Sequence, residues 1–167
     1  LKLFSSLGIK RIVLARECSL ADIREIVTKI KKQGLDCQIE VFIHGALCVS
    51  ISGRCLFSQH FFGKSANRGE CFQPCRREYL IKDIARGDEY ILGKDYVLSA
   101  KDLCTIDFID QLIEAGISAF KIEGRMRSPE YTQVVTSVYR QAIDAFFKGK
   151  LNAALKNNLR KKLETVF

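Results

Sequence analysis

Apolar residues follow two rhythms over the first 44 positions. "RIVLA" (Arg11 to Ala15) is a short continuous apolar run and predicts a buried strand. From Leu20 onward, Leu20, Ile23, Ile26, Val27 and Ile30 recur at helical spacing. Ser19 stands where an N-cap belongs, Asp22 falls in the first turn, and Gly34 stops the run. "CQIEVFIH" then alternates. Cys37, Ile39, Val41 and Ile43 face one way, and Gln38, Glu40, Phe42 and His44 the other. Strand, helix and strand in this order are the unit of parallel α/β sheets.

The rhythm fails from Gly45 to about Asp95. A stretch of that length without periodicity needs a function or an internal constraint. Within it, "REYLIKD" and "DEYILGKDYVLS" predict a hairpin with "RGD" near its turn. Regular patterning resumes with "YVLS" (Tyr96 to Ser99), read as a strand. A helix over Ile106 to Ala115 follows, then a strand at "SAFKIEG" (Ser118 to Gly124). Ser128 caps a long helix with Pro129 at its first position and Glu130 beside it. Tyr131, Val134, Val135, Val138, Ala142, Ile143 and Phe146 form its buried stripe, and Gly149 ends it. A basic helix over Asn152 to Thr165 closes the chain.

This pattern predicts an α/β fold: a partial, half TIM-type barrel or a small open parallel sheet, with a long cysteine-rich insert. A complete barrel takes about 200 residues or more, and the chain has 167. Residues 1–150 read as the C-terminal half of a barrel with the insert at about 45–95. Residues 151–167 read as a basic terminal helix that starts a further segment. Half a barrel leaves sheet edges to be covered. A missing N-terminal half or a partner chain is therefore expected, and the chain begins at Leu1 rather than methionine.

Charge and cysteine content sharpen the picture. The net charge of +8 suits anionic partners, RNA above all. No apolar run approaches the roughly 18 residues a membrane span needs, so no membrane partner is expected. Seven cysteines is an odd number for a disulfide framework, and four of them cluster. Both facts point to a reducing compartment, the cytoplasm, and to a metal site.

Cys48, Cys55, Cys71 and Cys75 have the spacing C-x6-C-x15-C-x3-C. Four thiolates suit either an iron–sulfur cluster or structural zinc. Zinc usually takes short knuckles at both ends, and only the second pair here is short. Four incidental cysteines are the third possibility, though polar, glycine-rich surroundings make a poor core. Arg54, Arg68, Arg76 and Arg77 would offset the charge of a four-thiolate centre, and Arg54 and Arg76 are also candidates for gripping substrate. Cys18, Cys37 and Cys104 have no companions and read as packing residues.

Other candidates lie where α/β enzymes place their chemistry, at strand C-termini. Glu40 and His44 share a strand face, and His44 could act as general acid or base. Lys121, Glu123 and Arg125 end another strand. Arg125 or Arg127 could hold a carboxylate or phosphate, and Glu123 could be catalytic or tied in an ion pair. Lys156, Arg160, Lys161 and Lys162 on the last helix read as a solvated face or an RNA-tracking surface. Phe57, Phe61, Phe62 and Phe72 interleave with basic residues and could stack bases or pack around a cluster.

"EVFIHGALCVSISGRCLFS" (Glu40 to Ser58) resembles the signature of the collagenase-like peptidases, family 32 among peptidases of unknown catalytic type. Glu40, Phe42, Gly45, Ala46, Leu47, Cys48, Gly53, Cys55 and Ser58 match, and Phe57 replaces an aliphatic residue. "NRGECFQPCR" and "FKIEGRMRSPEY" are also similar to stretches of that family. The resemblance implies two kinds of activity. Some members bear the name of proteases. Others hydroxylate RNA bases, or a quinone precursor, without molecular oxygen. These carry a 4Fe-4S cluster on four cysteines, here Cys48, Cys55, Cys71 and Cys75, and the RNA-modifying ones are linked to prephenate as hydroxyl source. The residues give a protease little support. His44 and His60 are the only histidines, neither lies near a nucleophile elbow, and H-E-x-x-H is absent. The first expectation is an iron–sulfur enzyme hydroxylating a base of tRNA or rRNA. A peptidase and a zinc-stabilised binding module are the alternatives.

Overall fold

The computed structural model describes residues 1–87, 89–91 and 97–166. In chain order the elements are α1 (Lys2–Ser6), β1 (Arg11–Val13), α2 (Leu20–Lys32), β2 (Gln38–Ala46), α3 (Phe57–Phe62), β3 (Leu80–Lys82), β4 (Glu89–Ile91), β5 (Asp102–Cys104), α4 (Ile109–Glu114), β6 (Ala119–Ile122), α5 (Pro129–Phe147) and α6 (Ala153–Glu164). They divide into two units. One holds Leu1–Ala46 and Asp102–Phe167, the other Leu47–Lys101.

β2 organises the first unit. Its first residues pair in parallel with β1, Arg11 opposite Gln38 and Val13 opposite Glu40. Its middle pairs in parallel with β6, Glu40 opposite Ala119 and Phe42 opposite Lys121. Its last residues pair antiparallel with β5, His44 opposite Cys104 and Ala46 opposite Asp102. The sheet is small and open, and it does not close into a barrel. The alternation read from "CQIEVFIH" is kept on the core face, where Cys37, Ile39, Val41 and Ile43 are all buried. Ile39, Val41 and Ile43 pack with Ile23, Val27 and Ile30 of α2, Ile109 and Leu112 of α4, and Val135, Val138 and Ala142 of α5.

Local signals set the helix ends. Ser19 accepts the Asp22 N–H while the Asp22 carboxylate accepts the Ser19 N–H, a reciprocal capping box. Ser128 accepts the Tyr131 N–H at 3.2 Å and Asn152 the Leu155 N–H at 2.9 Å. α6 buries Leu159 and Leu163. Its basic residues are largely committed. Lys156 donates to Asp110 at 2.7 Å and to the Asp107 carbonyl at 2.9 Å, and Arg160 pairs with Asp107. An RNA-tracking role for Lys156 and Arg160 therefore gives way to docking of the helix, and Lys161 and Lys162 are left exposed.

One strand was misplaced by the sequence pattern. Val97 and Leu98 lie in a turn rather than in a "YVLS" strand, and Tyr96 is outside the described residues. The strand that joins the sheet here is Asp102–Cys104. Three residues with one charge carry too little period to read. In the second unit the expected hairpin is present as β3 and β4, with Leu80 opposite Ile91 and Lys82 opposite Glu89. Residues 92–96 of its expected second arm lie outside the described residues. The unit spans 47–101 rather than 45–95 and contains Cys48, Cys55, Cys71 and Cys75.

Candidate metal centre and active-site residues

In the second unit, the loop before α3 holds Cys48 and Cys55, and the segment after it holds Cys71 and Cys75. Asn67 accepts the Cys55 N–H at 3.2 Å. Ser58, fully buried, accepts the Phe72 N–H at 3.0 Å and directs its own hydroxyl toward the Cys71 sulfur at 3.9 Å. The Gln73 N–H donates to the same sulfur at 3.4 Å. Gln73 has φ 49, a left-handed conformation that a side chain disfavours, and it lies between Cys71 and Cys75. Backbone strain of this kind persists where the surroundings over-determine it, and it gathers at functional sites. Pro74 then opens a short 3-10 turn to Arg76, and its carbonyl accepts the Tyr79 hydroxyl at 2.6 Å.

The other three thiols act on Cys75. Burial pushes the Cys75 thiol up, Cys71, Cys48 and Cys55 add to the effect, and only Arg76 opposes it. Yet among the described residues no three His, Cys, Asp or Glu side chains converge on a point that could hold one metal ion. A tetrahedral zinc site with Zn–S bonds of ~2.3 Å needs sulfurs only about 4 Å apart. An iron–sulfur core spreads its ligands over the corners of a larger cage. Four soft thiols in one unit, with N–H and O–H donors aimed at one sulfur, are a donor set of the kind that either group takes.

Arg76, expected to bind substrate, donates instead to the Leu47 carbonyl at 3.5 Å and the Ala100 carbonyl at 3.3 Å. It ties Leu47, the first residue of the unit, to Ala100 near its end. Arg54 is exposed beside Cys55.

In the first unit, the end of β2 lies against the end of β6. The Glu123 N–H donates to the His44 carbonyl at 2.9 Å. Gly45 follows with φ +103, packed against the Glu123 backbone and the Tyr131 hydroxyl. The β2–β6 register shifts between Phe42 and His44, so simple alternation no longer relates Glu40 to His44. The structure gives them different partners. Glu40 accepts from Lys121 at 3.3 Å and lies 3.8 Å from Arg11.

His44 is 3% exposed and packs edge-on against Tyr139 at 5.6 Å and tilted against Tyr131 at 5.9 Å. The Tyr139 hydroxyl donates to the Ile43 carbonyl at 2.9 Å, accepts the Thr105 N–H at 3.1 Å and lies 3.3 Å from His44 Nδ1. His44 Nε2 is buried with no hydrogen-bond partner.

Burial, with Arg127 assisting and Asp102 opposing, lowers the His44 pKa to about 4. The unfolded chain binds a proton near 6.5 that the folded chain refuses. The stabilisation from keeping His44 neutral is complete above about pH 6.5 and is lost as pH falls toward 4, roughly 3 kcal/mol over that interval. Urea midpoints at pH 7.0 and 4.5 should show this loss in the wild type and a smaller one in His44→Gln. An equal loss in both would contradict it.

Glu123 is buried and doubly held. Arg125 donates to it through its backbone N–H at 2.9 Å and its guanidinium at 3.1 Å, and Arg16 approaches at 3.4 Å. Burial alone would raise its carboxyl. The bonds from Arg125 and the charges of Arg125 and Arg16 outweigh that and hold it below the usual range. Arg125 therefore has its fork on Glu123. Arg127 pairs with the buried Asp102 and lies over the Tyr131 ring at 4.9 Å. Lys121 is turned to Glu40 and Phe42. The cations expected to grip a substrate anion are thus engaged with acids of the fold.

Three residues of this arrangement went unread in the sequence. Arg16 stacks on Phe42 at 3.7 Å and reaches Glu123 across 107 positions. Asp102 and Tyr139 are the others. Only Tyr139 left a signal, four residues after Val135 on the buried stripe.

The family model for peptidase family U32 matches residues 1–167. A collagenase of Porphyromonas gingivalis is 42% identical over 93% of this chain and 39% of its own length. A tRNA hydroxylation protein of Bacillus subtilis is 40% identical over 94% of this chain and 37% of its own. A 23S rRNA 5-hydroxycytidine synthase of Escherichia coli is 43% identical over 89% of this chain and 22% of its own. The chain thus spans about two fifths or less of the curated relatives it matches. No solved structure matches it. No helix among the described residues is long and apolar enough to cross a membrane. The match along the whole chain, together with relatives of this identity, shows that the chain belongs to peptidase family U32.

Proposed function

We propose that this chain is the cluster-bearing part of an enzyme that hydroxylates an RNA base without molecular oxygen. The observation that carries the proposal is the gathering of Cys48, Cys55, Cys71 and Cys75 in one compact unit, with the other three thiols close enough to act on Cys75. Relatives named for tRNA and rRNA hydroxylation at about 40% identity support the substrate class. All seven cysteines are free, in keeping with a reducing compartment such as the cytoplasm.

In this reading Cys48, Cys55, Cys71 and Cys75 hold a 4Fe-4S cluster. Bound, it supplies electron transfer or a Lewis-acidic iron. The Ser58 hydroxyl and the Gln73 N–H stabilise negative charge on the Cys71 sulfur. His44 presents a neutral Nε2 as proton acceptor, its ring fixed by Tyr139 through Nδ1. A buried neutral imidazole takes a proton only from a group brought directly against it, which suits a step shielded from water. Glu123 orients Arg16 and Arg125. A carboxylate-bearing hydroxyl donor such as prephenate would compete with Glu123 for Arg125, and Glu40 and Lys121 form the neighbouring ion pair.

The peptidase reading rests on relatives' names. Among the described residues His44, its ring packed against Tyr131 and Tyr139, has no hydrogen bond to a serine or cysteine that could serve as nucleophile. The deciding experiment is mass spectrometry of RNA from a strain lacking the full-length protein. A nucleoside lighter by one oxygen atom, restored by the wild-type gene, is expected. Unchanged RNA together with cleavage of a collagen-like peptide by the purified protein would overturn the proposal.

A further inference from the structure

The second unit exposes a line of aromatic rings. Phe57 and Phe61 are four apart on α3 and meet edge-on at 5.3 Å. Phe61 and Phe62 follow at 6.2 Å, and Phe62 meets Phe72 at 5.4 Å. The last contact joins two segments, and Ser58 sets it by holding the Phe72 backbone against α3. These rings are not a core. Phe61 is 51% exposed, Phe62 37% and Phe72 44%, with Leu56 and Ile51 also exposed beside them in sequence. A contiguous exposed apolar surface of this kind marks a binding site.

Its charge selects the partner. Arg77 stacks over the Phe62 ring at 4.9 Å. From Leu47 to Arg77 the segment carries Arg54, Lys64, Arg68, Arg76 and Arg77 against the one acid Glu70, which Lys64 meets at 3.4 Å. Aromatic faces interleaved with cations form the surface on which single-stranded nucleic acid binds, bases on rings and phosphates on cations. A proline-rich peptide also uses aromatic surfaces, but it brings no anionic group to the arginines.

A hollow of about 510 Å³ in the same unit shares Phe57 with the line. Val49, Cys55, Leu56, Phe57, His60 and Leu98 are among the residues lining it. Its size is in the range of small-molecule sites. Enzymes that act on a base take it out of the stack into such a pocket. The wall contains Cys55, one of the four clustered thiols.

From this arrangement we infer that the second unit binds an unpaired stretch of RNA, with flanking bases stacked on Phe61, Phe62 and Phe72 and one extruded base in the hollow beside Cys55. The inference rests on the RNA reading above, and its test reads binding alone, so it succeeds or fails without turnover.

The experiment uses full-length protein and fluorescent oligouridine, with an RNA duplex and a proline-rich collagen-like peptide as comparison probes. Replacing Phe61 and Phe62 together with leucine should weaken oligouridine binding about tenfold or more. The slope of log affinity against log salt should stay unchanged, because no phosphate contact is removed. Phe62→Tyr, which keeps a ring, should bind as the wild type does. In the unaltered protein, photo-crosslinks from 5-bromouridine RNA should map to residues 57–77, a readout that does not depend on any variant folding. Crosslinks confined to other segments, equal binding by the leucine variant, or tighter Phe62-dependent binding of the peptide than of oligouridine would each overturn the inference. Loss of hydroxylated nucleoside in cells with binding retained would bear on the chemistry and leave the surface standing.

Discussion

Replacing Gly45 with alanine is expected to destabilise the first unit by about 3–5 kcal/mol. Two costs add. The backbone at Gly45 has φ +103, which an L side chain rarely adopts. A Cβ would also intrude on the Glu123 carbonyl oxygen, at 2.9 Å from the Glu123 Cβ and 3.1 Å from the Tyr131 hydroxyl. Backbone atoms cannot swing aside, so β2 and β6 would have to part where the Glu123 N–H meets the His44 carbonyl. Domains of this size have only about 5–15 kcal/mol in hand. The urea midpoint of Gly45→Ala should therefore fall steeply with little change in slope. Gly34→Ala is the control. Gly34 has φ +59 with nothing within 4 Å of an added Cβ, so it should cost only the conformational term of about 1 kcal/mol. Similar midpoints for the two variants would mean that the close approach to Glu123 is absent.

The second large effect is chemical. Single alanine replacements of Cys48, Cys55, Cys71 and Cys75 are each expected to lower formation of the hydroxylated nucleoside more than about a hundredfold, since loss of a ligand should exceed the 10- to 100-fold cost of losing a supporting group. Cys18→Ala and Cys104→Ala should keep most activity. Cys18 packs beside the hydrophobic core and Cys104 lies on β5, where the Tyr139 hydroxyl meets its sulfur at 3.9 Å. Liquid chromatography with mass spectrometry of RNA from complemented strains measures this. Full activity in Cys71→Ala would exclude the four-thiol centre.

What could be read in the sequence was what is encoded locally. Ser19 and Asp22 form their capping box within four residues, and Cys37, Ile39, Val41 and Ile43 declare a buried face by period alone. The cysteine spacing drew attention to Cys48, Cys55, Cys71 and Cys75, because metal ligands come from few residue types, and all four fall in one unit. Contacts between distant segments stayed hidden. Nothing in "LAREC" says that Arg16 will stack on Phe42 and reach Glu123. Glu40 and His44 were paired by alternation, and an irregularity between Phe42 and His44 broke that inference. The same local rule left Arg125 between a substrate role and an ion pair with Glu123, and the structure shows its guanidinium on Glu123, two residues away. Ion pairs of this kind are common enough that type and position alone cannot separate a binding arginine from a structural one.

Iron and acid-labile sulfide analysis of anaerobically prepared full-length protein, read with its Mössbauer spectrum, tests the central claim most directly. The account predicts about four irons and four sulfides per chain in a cubane, lost together when Cys71 and Cys75 are both replaced by alanine. Stoichiometric zinc without iron, or an iron content that survives that double replacement, would contradict it.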